Sequence, residues 1–201
     1  DFENVTTHKP KNNSAKKTII IGTIGHSKHI DQIIKSKKIN TQDLTGKNEK
    51  FIIQLIANPI AGVDSALVIA GSDKRGTIYG VYELSKQIGV SPWYYWADIP
   101  VEKQSNIYFK PGMYTDNEPA VKYRGIFLND EYPALTRWAN HTFGGYNSKF
   151  YEKVFELILR LKGNFLWPAM WGSAFYDDDK LNGALADEMG IVIYGLEMDH
   201  G

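Results

Sequence analysis

Residues 122–175, KYRGIFLNDEYPALTRWANHTFGGYNSKFYEKVFELILRLKGNFLWPAMWGSAF, decide the fold of this chain. They predict a strand at Tyr123–Leu128, a helix at Ser148–Lys162 and a second strand at Asn164–Trp167. The helix carries an apolar stripe at spacings of three and four residues, namely Phe150, Val154, Leu157, Ile158 and Leu161. A strand, a helix and a strand in succession predict a parallel sheet covered by helices.

Polar and aromatic side chains follow each of these two strands. Asn129, Asp130 and Glu131 come directly after the first, and Trp167 and Trp171 lie at and beyond the end of the second. In parallel β/α sheets, ligands bind outside the carboxyl ends of the strands. The two clusters are therefore expected on the same face of the fold.

The carboxylates of the first cluster suit glycosidic bond cleavage, which needs a proton donor and a second carboxylate across the bond. Adjacent strand residues point in opposite directions. We therefore expect one of Asp130 and Glu131 to face the site while the other braces the loop. A helix cap or a surface salt bridge is the alternative for this pair. Asn129 could bond a sugar hydroxyl or hold the turn.

The tryptophans of the second cluster suit stacking on the apolar face of a pyranose ring. Core packing is the alternative, because tryptophan is highly buried on average. Pro168 breaks the strand between Trp167 and Trp171, which favours a loop with at least one tryptophan lining a cleft.

Two further groups follow. The first is the aspartate run at 177–179, which could hold a divalent cation. The better interpretation is that these carboxylates precede a helix and interact favourably with its dipole, so no metal site is predicted. A helix at Leu181–Met189 and a strand at Ile191–Gly195 come next. Glu197, Asp199 and His200 then stand at the end of the third strand, where a site is expected.

The N-terminal half has its own strand and helix pattern. Apolar runs predict strands at 18–25, 51–57, 66–70 and near Ile107–Phe109, and helices at 29–36 and 74–88. Residues 1–17 are polar and lysine-rich and predict a flexible arm or loop. Pro111–Pro119 is a turn-rich linker, so we predict an N-terminal α/β domain at 18–115 and a second domain at 120–201.

Composition narrows the function classes. The 201 residues have a formal net charge of zero, which argues against nucleic acid and anionic membranes as partners. The chain has no cysteine, so disulfides and thiolate metal sites are excluded. No run of apolar residues has the length of a membrane span, no signal peptide is visible, and no cofactor is indicated.

Several long motifs, in order, resemble the α-glucuronidases of glycoside hydrolase family 115. They are VIAGSDKRGTIYGVYELSKQIGVSPWYYWADIP, KYRGIFLNDE, FGGYN and FYEKVFELILRLKGNFLWPAMW, and the resemblance runs from about Ser65 to Tyr194. It implies an exported, secreted or periplasmic microbial hydrolase. Such an enzyme removes α-1,2-linked glucuronic acid, or its 4-O-methyl form, from xylan with inversion.

The resemblance also implies an architecture: a small N-terminal α/β sandwich domain, then a (β/α)₈ barrel. This chain would hold only the first three barrel strands and would be part of a longer protein. Asn129, Asp130 and Glu131 match the family's first-strand motif, and Trp167 and Trp171 its second. After the third strand the family suggests a Ser-His-His-Glu-like segment, whereas this chain has GLEMDHG, so His200 is carried over on a departing pattern.

Two other functions stay open. A hexosaminidase-like glycosidase would need an Asp-Glu pair after a fourth barrel strand, which this chain does not reach. Alternatively, these 201 residues are an inactive carbohydrate-binding or scaffold fragment, because an incomplete barrel cannot assemble a full site. A homodimer of the full-length protein is a further expectation, with glucuronoxylan or xylo-oligosaccharide as the substrate.

Overall fold

The structure is a computed structural model, and it describes residues 1–6, 17–129 and 132–194. The α/β class predicted from the sequence is confirmed. The chain divides into two compact units, Asp1–Ala120 and Val121–Gly201.

The first unit contains a mixed four-stranded sheet. Its elements, in chain order, are α1 (Phe2–Thr6), β1 (Lys17–Thr23), α2 (Lys28–Lys35), a 3-10 turn (Gln42–Leu44), β2 (Phe51–Ala57), β3 (Ser65–Gly71), α3 (Lys74–Gln87) and β4 (Met113–Thr115). The strand order is β1-β3-β2-β4. β1 runs parallel to β3, while β2 is antiparallel to both β3 and β4.

The core of the first unit follows from the apolar runs of its strands. Side chains alternate between the two faces of a strand, so Ala66, Val68 and Ala70 of β3 share one face. They belong to a buried cluster that also includes residues of α2 and of the 3-10 turn. The other members of this cluster are Ile20, Ile30, Ile33, Ile39, Leu44, Ile52, Ile56 and Val63. The opposite face of β3 is buried too, because every residue from Ala66 to Gly71 is buried.

Small residues let helix α3 pack closely against the sheet of the first unit. Its buried positions are Gly76, Tyr79, Gly80, Glu83, Leu84 and Ser85. A Cβ on Gly80 would lie 2.6 Å from the Ile69 side chain, and one on Gly76 would overlap the Lys50 carbonyl. The apolar residues Ile78, Val81 and Tyr82 are only partly buried, so they do not form the closest contact of this helix. Glycine carries no hydrophobic signal, but it permits the closest approach.

The carboxylate of Asp73 caps the amino terminus of α3. Asp73 accepts a hydrogen bond from the Gly76 amide at 2.7 Å, and its second oxygen accepts from the Glu49 amide at 2.8 Å. Ser72 accepts from the Lys50 amide at 3.1 Å. This glycine-containing turn is thus a structural strand-to-helix connection, and its N-terminus already holds a negative group.

Two parts of the first unit differ from expectation. Within the predicted arm, Phe2–Thr6 forms α1, Val5 is fully buried, and its carbonyl accepts from the Gln104 amide at 2.9 Å. Residues 7–16 lie outside the described residues. The predicted strand at Ile107–Phe109 is wrong: those residues are irregular, and Met113–Thr115 forms the strand instead because it pairs with β2.

The second unit is a parallel sheet with intervening helices. Its elements are β5 (Gly125–Phe127), α4 (Ala134–Phe143), α5 (Ser148–Arg160), β6 (Phe165–Trp167), α6 (Phe175–Asp178), α7 (Leu181–Met189) and β7 (Val192–Ile193). The strands lie in sequence order, β5-β6-β7, and both pairings are parallel. A sheet that grows strand by strand in this way is how a β/α barrel begins.

Helix α5 buries the stripe that the sequence predicted. Phe150, Val154 and Ile158 are buried, together with Tyr151, Phe155 and Leu159. The Asn147 side chain caps the helix by accepting from the Lys149 and Phe150 amides at 3.1 and 3.3 Å. Helix α4 was not predicted, because no capping side chain marks its start and only Ala139 along it is buried.

Asn164 joins the amino-terminal ends of the three strands. Its buried side chain accepts from the Arg124 amide at 2.9 Å and donates to the Lys122 carbonyl at 2.7 Å. Its backbone N–H donates to the Arg124 carbonyl, and its carbonyl accepts from the Val192 amide. One residue thereby sets the register of β5, β6 and β7 together.

None of the described helices is long and apolar enough to cross a membrane.

Candidate functional site

The candidate site lies at the carboxyl ends of β5, β6 and β7. Phe127 stands opposite Trp167 in the parallel register. The Leu128 amide donates to the Trp167 carbonyl at 2.8 Å, and the Tyr194 amide donates to the Leu166 carbonyl at 3.0 Å. Strand pairing therefore continues up to the residue before Asn129, which is exposed.

The described part of this edge brings together Asn129, Trp167 and Trp171, three of the six predicted site residues. Asp130, Glu131 and His200 lie outside the described residues. The roles assigned to all six stay predictions.

A row of aromatic rings crosses the sheet beside this edge. Trp167 has the ring of Phe127 at 5.3 Å on one side and that of Tyr194 at 4.7 Å on the other, measured between ring centroids. These three residues share one face of the sheet, because paired and alternate positions point the same way. Leu166 lies on the opposite face and is fully buried, whereas Phe127 is 50% exposed. At β6, one face is thus covered, and the other carries the aromatic rings.

The loop after β6 places the two tryptophans differently. The Trp167 indole N–H donates to the Met170 sulfur at 3.1 Å. Pro168 and Ala169 are buried between them, and Trp171 then emerges with 68% of its surface exposed. The loop expected from Pro168 is present, and Trp171 is the more accessible ring for a ligand.

The arginine that opens β5 has a structural role. The Arg124 guanidinium donates to the Lys162 carbonyl through Nε and Nη2, at 3.1 and 2.9 Å, and to the Val121 carbonyl through Nη1 at 2.6 Å. These acceptors lie at the amino-terminal end of the strands. Arg124 is therefore not placed to hold a substrate at the carboxyl edge. Arg137 is exposed on α4.

The aspartate run at 177–179 serves local structure. Asp179 accepts from the Ser148 and Leu181 amides, both at 2.9 Å, and these hydrogen bonds hold the pKa of Asp179 below its usual range. Asp178 accepts from the Ala174 amide at 2.9 Å. A hydrogen bond from Lys180 lowers the pKa of Asp177. Across the residues the structure describes, no group of three His, Cys, Asp or Glu is arranged to hold a metal ion.

Comparison with known families agrees with this geometry. The sequence profile described as glycosyl hydrolase family 115 matches residues 116–197, which include the whole of the β5-β6-β7 sheet. The predicted resemblance to family 115 is confirmed.

A solved family 115 structure extends the match over both units. It is described as a 4-O-methyl-α-glucuronidase with specificity for decorated arabinogalactans. The chain is 33% identical to that protein, with a TM-score of 0.79 over 96% of this chain. It spans 25% of the length of that family 115 protein. The comparison with curated proteins gives no match.

Sequence reasoning missed three residues that shape this site. Phe127 and Tyr194 flank Trp167, and Met170 accepts its indole N–H. The alternation of β5 could have identified Phe127, because it lies two residues beyond Gly125 on the same face as the strand-end cluster. Nothing in the sequence marks Met170 as an acceptor rather than as ordinary apolar filling.

Proposed function

We propose that the full protein is a glycoside hydrolase that removes α-1,2-linked glucuronic acid, or its 4-O-methyl form, from the side chains of xylan. The observation that carries the proposal is the family 115 match over residues 116–197, which covers the strand ends where Asn129 and Trp171 are exposed. A polar amide and an exposed tryptophan that follow neighbouring strands suit a sugar, which offers hydroxyl groups and an apolar ring face.

The proposed mechanism uses two carboxylates and inverts the anomeric centre. A protonated carboxylic acid with a raised pKa donates its proton to the leaving xylosyl oxygen. A carboxylate on the opposite face of the sugar removes a proton from the attacking water. Asp130 or Glu131 would supply one of these groups or orient the substrate, with Asn129, Trp167, Trp171 and His200 forming the sugar-binding site around it. No cofactor or metal takes part in this mechanism.

A uronic acid also needs a cation for its own carboxylate, because a buried anion is costly without a partner. Arg124 is engaged by backbone carbonyls and is not a candidate. Arg137 is exposed on α4, which begins three residues after Glu131 in the sequence. In this part of the protein, Arg137 is our candidate for the clamp.

A second substrate follows from the solved relative. That protein is described as specific for decorated arabinogalactans. The same cleavage, which releases glucuronic acid and leaves the polymer oxygen protonated, would then act on a galactan rather than a xylan main chain. Loop residues at the strand ends would select between the two polymers, because loops carry specificity in β/α folds.

The test measures glucuronic acid released by the full protein from 4-O-methylglucuronoxylan and from a glucuronic acid-decorated arabinogalactan. Asp130→Ala is expected to lower the rate about 10³-fold, since a general acid or base contributes about 10²–10⁴-fold. Asp43→Ala, an exposed carboxylate in the first unit, is the control and should keep full activity.

Each failure points elsewhere. No release from either polymer by a folded wild-type protein refutes the glucuronidase proposal. Cleavage of an aryl β-hexosaminide instead would favour the hexosaminidase-like alternative, and polymer binding without cleavage would favour a carbohydrate-binding protein. Full activity in Asp130→Ala would remove Asp130 from the site but leave the proposed activity standing.

Location and assembly are part of the same proposal. A polysaccharide substrate lies outside the cell, so the full protein is proposed to be secreted or periplasmic. The net charge of zero gives no basis for nucleic-acid or membrane binding. The proposed homodimer is tested by measuring the molar mass of the full protein in solution.

A further inference from the structure

The indole of Trp167 is already engaged by the protein itself. Its single N–H donates to the Met170 sulfur at 3.1 Å, and the rings of Phe127 and Tyr194 lie on either side of it. Indole has one donor and no acceptor. Trp167 thus has no hydrogen bond left for a sugar hydroxyl, and neighbouring side chains fix the orientation of its ring.

The bond to Met170 also closes the turn after β6. It joins a strand residue to the residue three positions later, with the buried Pro168 and Ala169 between them. Trp171 is the next residue and is 68% exposed. The direction in which Trp171 leaves the turn is therefore set at Met170.

We propose that Met170 is a positioning residue that holds Trp171 as the sugar-stacking ring by accepting the Trp167 indole N–H. This inference rests on the proposed function. It gives the two tryptophans different roles: Trp167 anchors the turn, and Trp171 touches the ligand. The competing explanation is that Met170 only fills space, in which case leucine would replace it with little effect.

The first experiment reads the position of Trp171 without using activity. The full protein is labelled with 5-fluorotryptophan, and the Trp167 and Trp171 fluorine signals are assigned with Trp167→Phe and Trp171→Phe. Met170→Leu keeps the apolar volume but removes the acceptor, and it should shift both signals. Met113→Leu, on exposed β4 of the first unit, is the matched control and should shift neither.

The second experiment measures kcat and KM on the polymer that the wild-type protein cleaves. Met170→Leu should raise KM about 3- to 10-fold, the range expected for loss of one hydrogen bond, and leave kcat nearly unchanged. In a Trp167→Phe background the same substitution should have no further effect on KM, because the donor is gone. Trp171→Ala should raise KM more than Met170→Leu does.

The outcomes separate the two proposals. A Trp171 signal that does not move in Met170→Leu overturns the inference, whether or not the protein is active. An equal rise in KM with and without the Trp167 indole also overturns it. A shifted Trp171 signal in a protein that cleaves neither polymer supports the positioning role and refutes only the proposed function.

Discussion

The central strands of the two sheets differ in how they are covered. In β3 every residue from Ala66 to Gly71 is buried, so both faces of the strand lie against other parts of the first unit. In β6 only Leu166 is buried, while Phe165 and Trp167 are partly exposed. The first sheet buries apolar surface on both sides. In the second, β6 buries one face at Leu166, and the carboxyl edge of the sheet carries the predicted site.

The difference between β3 and β6 separates residues that contribute mainly to stability from residues beside the candidate site. A strand covered on both faces contributes free energy of folding at nearly every residue. A strand with one open face contributes through alternate residues only. The rings of Phe127, Trp167 and Tyr194 lie on its other face.

The largest expected effect tests this contrast with a matched pair of substitutions. Ile69 of β3 is fully buried, and Ile126 of β5 is 42% exposed. Ile69→Ala should lower the free energy of unfolding by about 2–5 kcal/mol, as for other buried isoleucines. Ile126→Ala should lower the free energy of unfolding by less than half as much. Urea denaturation measures both losses. Equal losses would show that Ile126 contributes as much burial as Ile69, and the contrast between the two strands would fail.

The next effect concerns the close pairing of β5 with β6. A Cβ on Gly125 would overlap the Phe165 carbonyl, its register partner. Gly125→Ala should therefore destabilise the fold by about 3 kcal/mol, at the upper end of overpacking costs. Chemical denaturation measures this loss. Gly183→Ala on α7 is the control: it meets only the edge of the Tyr176 ring at 3.1 Å and should be near neutral.

Asn164 should give a smaller loss, because it contributes hydrogen bonds rather than strand geometry. Asn164→Ala leaves the Arg124 N–H and the Lys122 carbonyl without their side-chain partners. The expected cost is about 1–3 kcal/mol. Thermal unfolding measures this loss. The control is Asn117→Ala at an exposed position of the first unit, which should change the stability little. If both substitutions cost the same, Asn164 does not hold the three strands together.

The smallest effect is a pH dependence at Asp179. Its folded-state pKa is lowered by the Ser148 and Leu181 amides, so it favours the folded state above its usual pKa of 3.8. That contribution is lost as the pH falls from about 4 through the lower folded-state pKa. The Asp179→Asn protein should therefore be less stable than the wild type at pH 7, and the difference in stability should disappear in acid. Urea denaturation midpoints measured across this pH range test this. A constant gap would mean that the charge is not what stabilises these helix starts.

Asp177 supplies the comparison for that measurement. Its partner Lys180 is exposed, and the two groups form an ion pair at 2.7 Å. Salt screens such a pair, so any effect of Asp177→Asn should vanish at high ionic strength. The effect of Asp179→Asn should persist, because its partners are backbone amides.

Much of the fold could be predicted wherever a strong local pattern exists. Phe51–Ala57 and Leu181–Met189 form the elements the sequence predicted, with the same bounds. Continuous apolar runs and a terminal glycine are local signals. The carboxyl edge of the second sheet was likewise predictable, because polar and aromatic residues follow its strands.

The rest depends on contacts that the sequence does not display. Met113–Thr115 forms a strand because β2 is there to pair with it, although Ile107–Phe109 has a comparable apolar pattern. The buried face of α3 is set by how closely Gly76 and Gly80 let it approach other residues. The role of Met170 depends on the position of the Trp167 N–H, which only the folded turn defines.

The carboxylate of Asp179 has a consequence for the order in which the second unit forms. It accepts from the first amide of α5 and from the first amide of α7, although the chain runs through β6 and α6 between them. The Ser148 amide therefore gains this partner only after the chain has returned 31 residues later. Hydrogen exchange at Ser148 should accordingly follow that at Leu181 rather than that of the middle of its own helix.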